Sequence, residues 1–188
     1  MRDRIKDIFL ESIQVKEELL HTSLGKIVEI AEAMIEALKK NGKVIIFGNG
    51  GSAADSQHIA AELVGRFKKD RTALAAVALT TNTSVLTSLA NDYGYDIVFA
   101  KQIEALGKKN DIAIGISTSG KAKNVILGIK QAKKMGIKTI ALTGSDGGEL
   151  GKIADICLVA PSNVTARIQE AHITIGHILC EIVEQTLC

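Results

Sequence analysis

A glycine-rich segment stands directly before two side chains that can bind a metal or move protons, in the sequence GNGGSAADSQHIAAE at 48–62. His58 and Glu62 are four residues apart, so a helix places them on one face. A solvated His–Glu contact is the commoner meaning of such a pair, but the residues between them here are mostly small and apolar. Helical rise puts Glu62 about 15 Å from the glycine-rich segment, and a phosphorylated sugar of roughly six or seven carbons could span that gap.

Three segments rich in glycine and hydroxyl side chains each follow an apolar run, at 48–55, 117–124 and 143–150. In a parallel sheet the loops after the strands share one edge, where backbone N–H groups of short residues can approach an anion. A purely structural meaning stays open for the first loop, because Ser52 and Asp55 resemble a capping box. The second loop carries hydroxyls at three consecutive positions, more than one cap needs. Two such loops on one edge favour a phosphate-bearing ligand, although neither a dinucleotide fingerprint nor a P-loop is present.

The last helical stretch carries further polar side chains among apolar ones: Gln169, Glu170, His172 and His177. A histidine on an apolar helix is more often a core residue with one hydrogen bond than a ligand. Gln169 and His177 are separated by about 12 Å of helical rise. Both could reach one metal ion only if their side chains lean inward, so the residues alone do not select His177.

Apolar runs alternate with helical stretches through most of the chain. The runs predict strands at 43–48, 74–79, 111–117, 138–144 and 154–160, with helices at 52–66, 83–90, 97–106, 122–135 and 164–188. Continuous apolar strands between helices are typical of a parallel sheet that is covered on both faces. The predicted fold class is therefore α/β, a three-layer α/β/α domain that occupies residues 1–188.

Residues 1–40 are predicted to form a pair of helices that breaks at Thr22–Ser23, with Ser23 as N-cap. The first helix carries one apolar stripe, made of Ile5, Ile8, Phe9, Ser12, Val15 and Leu19. A sheet already covered on both faces leaves little room for this stripe. We therefore expect the first helix to pack on another subunit, which makes the protein a homo-oligomer.

The composition argues against several functional classes. Aromatic residues make up 3% and the net charge is +2, which disfavours base-stacking nucleic-acid modules. The densest basic run, RFKKDR at 66–71, is interpreted as a solvated helix end and loop. The three cysteines form no Cys-x-x-Cys pair and fit a reducing compartment. Without a long apolar window or a signal-peptide core, we expect a cytoplasmic protein with no membrane or nucleic-acid partner.

Five segments together resemble the phosphoheptose isomerases of the sugar isomerase (SIS) fold, over nearly the whole chain: GNGGSAADSQHIAAELVGRF, ALTTNTSVLTSLANDYGYD, GISTSG, TIALTG and TARIQEAHITIGHILCEIVE. The loops are shared by the wider fold, whereas the His-x-x-x-Glu helix with the Arg-Ile-Gln-Glu-x-His segment is more specific. The resemblance implies a five-stranded parallel sheet and a homotetramer with active sites at subunit interfaces. It also implies one zinc ion per subunit.

The resemblance further assigns roles to individual residues. It implies zinc ligands at His58, Glu62, Gln169 and His177, a donor set that suits zinc although glutamine is an uncommon ligand. It implies substrate contacts at Asn49, Gly50, Gly51, Ser52, Glu62, Asn91, Asp92, Ser117, Thr118, Ser119 and Gln169. One departure is that the family's STSGNS reads STSGKA here, so residue 122 has no hydroxyl. We hypothesise that Lys121 contacts the phosphate instead.

The implied reaction converts sedoheptulose 7-phosphate to D-glycero-D-manno-heptose 7-phosphate, the first step of ADP- or GDP-heptose precursor biosynthesis. An enediol route between C1 and C2 needs a base and a proton shuttle, and Glu62 is assigned as base and His177 as acid. Two alternatives stay open: a non-catalytic SIS protein that binds a partner such as the replication initiator DnaA, or an isomerase of another sugar phosphate. Binding-type members typically lack the metal and acid/base side chains, all of which are present here.

Overall fold

Five parallel strands form one sheet in the order β2-β1-β3-β4-β5 in the computed structural model, which describes all residues 1–188. The strands are β1 (Val44–Gly48), β2 (Ala76–Ala78), β3 (Ile112–Ser117), β4 (Lys138–Gly144) and β5 (Ile156–Ala160). Every residue of β1 and β3 is buried, because both faces of the central strands are covered. The prediction of an α/β fold with a five-stranded parallel sheet is confirmed.

Eight α-helices surround the sheet: α1 (Arg2–Thr22), α2 (Leu24–Lys39), α3 (Gly51–Val64), α4 (Thr83–Tyr93), α5 (Val98–Leu106), α6 (Lys123–Lys134), α7 (Gly148–Ile153) and α8 (Thr165–Leu187). A short 3-10 helix, Tyr95–Ile97, precedes α5. The sequence did not predict α7, because its glycines are poor helix formers. The other helices lie within a few residues of their predicted bounds.

The core has two halves, one on each face of the sheet. Val44 and Ile46 of β1 pack with side chains of α2, α3 and α8, while Ile45 and Phe47 pack with those of α5 and α6. Successive side chains of a strand point to opposite faces, so one apolar run supplies both halves. The layer that contains α3 and α8 is the one that carries the predicted metal ligands.

The N-terminal helices are only partly covered by the rest of the chain. Ser23 separates α1 from α2 as predicted, but its side chain makes no capping hydrogen bond. On α1, Val15 and Leu19 are buried, whereas Ile5 and Phe9 are 50% and 67% exposed. Half of the predicted stripe therefore packs within the subunit, and the other half remains an exposed apolar face.

The basic run at 66–71 differs from its prediction at one residue. Residues 66, 68, 69 and 70 are exposed after the end of α3, as expected for a solvated loop. The side chain of Arg71 is instead only 4% exposed and pairs with Glu184 of α8. The prediction is wrong for Arg71 because its partner lies over a hundred positions away in the sequence. None of the helices combines the length and the hydropathy that crossing a bilayer requires.

Candidate active site

A cleft of about 300 Å³ opens where β1 and β3 end. These strands are neighbours, and the chain leaves β1 through α3 towards β2 on one side and leaves β3 through α6 towards β4 on the other. The cleft therefore lies at the switch point where parallel sheets bind ligands. The residues that line it include most of the predicted substrate contacts: Asn49, Gly50, Gly51, Ser52, Ser117, Thr118, Ser119 and Gln169. Residues 48–52 of the first loop form one wall, and residues 117–122 of the second loop form the other.

The first loop presents backbone donors rather than a capped turn. Gly50 is the N-cap of α3 with φ of 55°, a conformation that favours glycine, and no side chain caps the helix. The predicted capping box of Ser52 and Asp55 is therefore wrong. The N–H groups of Gly51 and Ser52, at the start of α3, have no backbone acceptor in the protein. This end of α3 is suited to an anion, because its free donors and its dipole act in the same direction.

The third glycine-rich loop supports the second loop from behind and does not line the cleft. Leu150 N–H donates to the carbonyl of Gly120 over 2.9 Å. A Cβ on Gly148 would lie 2.6 Å from the oxygen of Gly120, so the two backbones touch. Within the second loop, the Ser119 hydroxyl accepts from Lys121 N–H at 3.2 Å, while the Lys121 side chain is exposed. The second loop of the cleft is thus held by a third loop that shares its composition.

Asn49 is tied to α6 by a reciprocal pair of amide hydrogen bonds. Its Nδ2 donates to Asn124 Oδ1 over 2.8 Å, and Asn124 Nδ2 donates to Asn49 Oδ1 over 2.9 Å. The Tyr95 hydroxyl also reaches Asn49 Oδ1, at 3.4 Å. Sequence reasoning missed the buried Asn124, whose one signal is a polar side chain in the first turn of a helix after a hydroxyl-rich loop.

His58, Glu62 and His177 meet between α3 and α8. His58 Nε2 lies 2.9 Å from His177 Nε2 and 3.2 Å from Glu62 Oε1. The two helices approach each other closely beside the histidines, at Ile59 on α3 and Gly176 on α8. A Cβ on Gly176 would lie 2.7 Å from Cδ1 of Ile59. This close crossing is what carries His177 to the pair on α3, and no sequence spacing could show it.

The geometry of the three side chains fits a zinc ion. Their ligand atoms all lie within 4.8 Å of one another. Tetrahedral zinc with bonds of about 2.0–2.1 Å separates its ligand atoms by roughly 3.3 Å, so small side-chain rotations suffice. Two imidazoles and a carboxylate are also a donor set that zinc accepts. Gln169 lies in the cleft, two turns before His177, with its amide packed against Gly51.

Two further titratable groups lie on the same helices. Burial raises the pKa of Asp55, against the opposing effect of His58, and its Oδ2 has no hydrogen-bond partner. Burial lowers the pKa of His172, although the bond to Thr143 acts in the opposite direction. His172 Nε2 donates to the Thr143 carbonyl over 2.9 Å, so His172 is the core histidine with one hydrogen bond that its setting predicts.

Asn91 and Asp92 do not line the cleft in this chain. Both are exposed at the end of α4, where Asn91 Nδ2 donates to Asp92 Oδ1 over 2.9 Å. The reason is topological, because α4 follows the edge strand β2, which lies on the other side of β1 from the cleft between β1 and β3. Their predicted contact with substrate stays a prediction.

Comparison with known proteins adds a family to this geometry. The SIS domain family matches residues 9–144. A phosphoheptose isomerase of Aquifex aeolicus is 54% identical over 188 residues, covering 100% of this chain and 98% of that protein. The chain belongs to the phosphoheptose isomerase family. Another member, from Thermodesulfovibrio yellowstonii, is 51% identical and covers 100% of this chain and 93% of that protein.

Solved structures of the phosphoheptose isomerase family share the whole fold. The enzyme from Neisseria gonorrhoeae has a TM-score of 0.93 at 45% identity, over 98% of each chain. The enzyme from Francisella tularensis has a TM-score of 0.94 at 40% identity, over 97% of each chain. The family resemblance predicted from the five sequence segments is confirmed.

Proposed function

We propose that this isomerase interconverts sedoheptulose 7-phosphate and D-glycero-D-manno-heptose 7-phosphate, at the head of a heptose-precursor pathway in the cytoplasm. The observation that carries the proposal is that one helix, α3, begins with free N–H donors at the cleft and carries His58 and Glu62 farther along. Family members that match the full chain are named phosphoheptose isomerases. The assembled acid/base cluster disfavours the alternative of a non-catalytic partner-binding protein.

The cleft binds the phosphate in this proposal. The free N–H groups of Gly51 and Ser52 and the hydroxyls of the second loop would contact its oxygens. Helical rise of about 15 Å then separates Ser52 from Glu62. Binding at the phosphate end orients the far end of the sugar, so that binding energy is used to position the reacting carbons.

Glu62 and His177 carry the proton chemistry. Glu62 removes the proton from C1 of the ketose and returns a proton to C2, while His177 gives a proton to the oxygen on C2 and takes one from the oxygen on C1. No electrons leave the substrate, so no redox cofactor is required. A zinc ion held by His58, Glu62, Gln169 and His177 would supply polarisation of the substrate carbonyl.

The active form is proposed to be a homotetramer with its sites at subunit interfaces. The exposed apolar face of α1 supports an oligomer. The position of Asn91 and Asp92, outside the cleft of their own chain, supports a site completed by a neighbouring subunit.

The test compares Glu62→Gln with the parent in an assay of sedoheptulose 7-phosphate and fructose 6-phosphate. Loss of the base should reduce turnover at least 100-fold, the lower end of what proton transfer contributes, without unfolding the protein. Glu32→Gln, an exposed change on α2, is the control. Residual kcat above a tenth of the parent's would reject Glu62 as the base. Equal kcat/KM for the two substrates would favour the isomerase of another sugar phosphate.

A further inference from the structure

A buried ion pair joins the far ends of the two helices that carry the cluster. Arg71 follows α3 by a short loop, and Glu184 lies near the end of α8. Arg71 Nε lies 3.0 Å from Glu184 Oε1, and the two side chains are only 4% and 1% exposed. A buried ion pair adds little net stability relative to apolar side chains of similar size, so the geometry that it imposes is what distinguishes it.

Glu184 holds the loop between α3 and Arg71 through hydrogen bonds to its backbone. Its carboxylate accepts the backbone N–H groups of Phe67, Lys68 and Lys69 at 3.2, 2.9 and 3.1 Å. Burial alone would raise the pKa of Glu184, but these bonds and Arg71 outweigh it and hold the pKa below its usual range. The carboxylate is therefore ionised and fully hydrogen-bonded inside the protein.

Arg71 fixes the last turn of α3 at the residue that bears the cluster carboxylate. Its Nη2 donates to the Glu62 carbonyl over 3.0 Å, and its Nη1 donates to the Leu63 carbonyl over 2.9 Å. Carbonyls in the last turn of a helix have no partner within the helix, and here one guanidinium satisfies two of them. The backbone of Glu62 is thus linked to α8 through a single side chain.

The Arg71–Glu184 pair also contacts His177 indirectly, through Phe67. Its backbone N–H is held by Glu184, and its ring stacks on His177 with centroids 5.8 Å apart and planes inclined by 30°. One buried pair therefore touches the backbone of Glu62 and, through one aromatic ring, the imidazole of His177.

We infer that Arg71 and Glu184 are positioning residues of the active site, which set the spacing of Glu62 and His177 by clamping α3 to α8. The inference rests on the proposed function of the His58–Glu62–His177 cluster. If the pair were purely structural, its substitution would change only the stability of the protein. If the pair positions the active site, its substitution also lowers kcat and metal affinity in protein that is fully folded. The phosphate affinity of the distant cleft then stays unchanged.

The experiment uses Arg71→Lys, which keeps the charge but cannot satisfy Glu184 and two carbonyls together. The matched control is Glu181→Gln, which removes the Lys68–Glu181 pair between the same loop and the same helix, where the side chains are 58% and 36% exposed. Folded protein of each variant is compared for zinc affinity against a chromophoric chelator, inorganic phosphate affinity, and kcat and KM on sedoheptulose 7-phosphate.

We expect Arg71→Lys to weaken zinc binding and lower kcat by about 10-fold or more, as residues that orient metal ligands do. Phosphate affinity, KM and the control should stay within about twofold of the parent. Zinc affinity and kcat both within twofold in folded Arg71→Lys would overturn the inference.

A double variant, Arg71→Met with Glu184→Leu, covers the case in which Arg71→Lys does not fold. Removing both partners leaves no unpaired charge in the core, although the three backbone N–H groups and two carbonyls that the pair satisfied lose their partners. Folded protein of this variant should show the same losses of zinc affinity and kcat. Recovery of parental zinc affinity and kcat would overturn the inference. If the parent itself does not turn over the heptose phosphate, the proposed function fails, while the zinc-affinity comparison still tests the clamp.

Discussion

Gly51 and Gln169 share a space that has room for only one side chain. A Cβ on residue 51 would lie 2.7 Å from Cδ of Gln169, so the first residue of α3 must be glycine for the amide to stay in the cleft. The φ of Gly51 is not positive, and the constraint is therefore contact with Gln169 rather than backbone strain. Residue 51 thus controls the position of a proposed zinc ligand on another helix.

Gly51→Ala should lower kcat/KM and zinc affinity by about 10-fold or more, because the new methyl group displaces Gln169. Stability should not fall, since alanine in a helix is favoured over glycine by roughly 0.5–1 kcal/mol. Gly25→Ala, within α2 and with no atom within 4 Å of its new Cβ, is the control. Thermal denaturation, chelator competition and steady-state kinetics measure the three effects. Unchanged zinc affinity in Gly51→Ala would argue against Gln169 as a ligand.

At this scale the sequence predicted the residues that share an element and missed those that meet across elements. His58 and Glu62 follow from a spacing of four on one helix. Asn124 and Arg71 escaped notice because their partners, Asn49 and Glu184, lie 75 and 113 positions away. His177 was predicted as a site residue only from the family resemblance, because its contact with His58 depends on how α3 and α8 cross.

The loops around the cleft act as linked elements. Asn124, in the first turn of α6, holds the first loop through Asn49, while α7 supports the second loop through Gly120. These contacts fix the two walls relative to each other before any ligand binds. Such pre-organisation lowers the cost of binding.

Asn124→Ala should raise KM for the sugar phosphate by about 5- to 150-fold, since two buried hydrogen bonds of about 0.5–1.5 kcal/mol each are lost at the wall of the cleft. The effect on kcat should be smaller, because the cluster on α3 and α8 is not touched. Steady-state kinetics and inorganic phosphate affinity check this, with the exposed Asn163→Ala as control. An unchanged KM in folded protein would mean that the amide pair does not shape the cleft.

Strands and long helices were predictable because their apolar patterns are continuous and their lengths are ordinary. The short helix α7 was not, since Gly147 and Gly148 take positive φ and the helix depends on contacts with the second loop. The role of the third loop was missed for the same reason. Its composition matches that of a ligand loop, and only packing separates the two roles.

At the scale of the whole molecule, the exposed face of α1 should join subunits. Changing Ile5 and Phe9 together to serine removes two exposed apolar side chains from that face. We expect the proposed tetramer to dissociate at micromolar concentration, as measured by sedimentation velocity. Lys6→Ser, on the same helix, should leave the mass unchanged. A monomeric parent, or a double variant that stays tetrameric, would contradict the assignment of this face.

The free energy of unfolding should depend on Asp155 in a pH-dependent way. Burial alone would raise the pKa of Asp155, but hydrogen bonds from Lys133 and Thr139 outweigh it and hold the pKa below its ordinary value of 3.8. A depressed pKa contributes stability above the ordinary value, and that stability is lost as the pH falls through the folded-state pKa. Asp155→Asn should therefore be less stable than the parent at pH 7, with a difference that narrows below about pH 3.8. Urea denaturation at pH 7 and at a pH below about 3.8 measures the difference in unfolding free energy between the parent and the variant. A difference that stays the same at the two pH values would contradict the prediction.

The position of α8 in chain order has a consequence for synthesis. All five strands and α3 precede α8, so the sheet and the pair His58–Glu62 can exist before His177 has left the ribosome. Domains fold as they are made, and a ligand that binds only the native state stabilises only what has already formed. An ion that needs both helices therefore selects chains in which the last helix has packed. Metal binding would then report the final step of folding, and nascent chains would remain free of it.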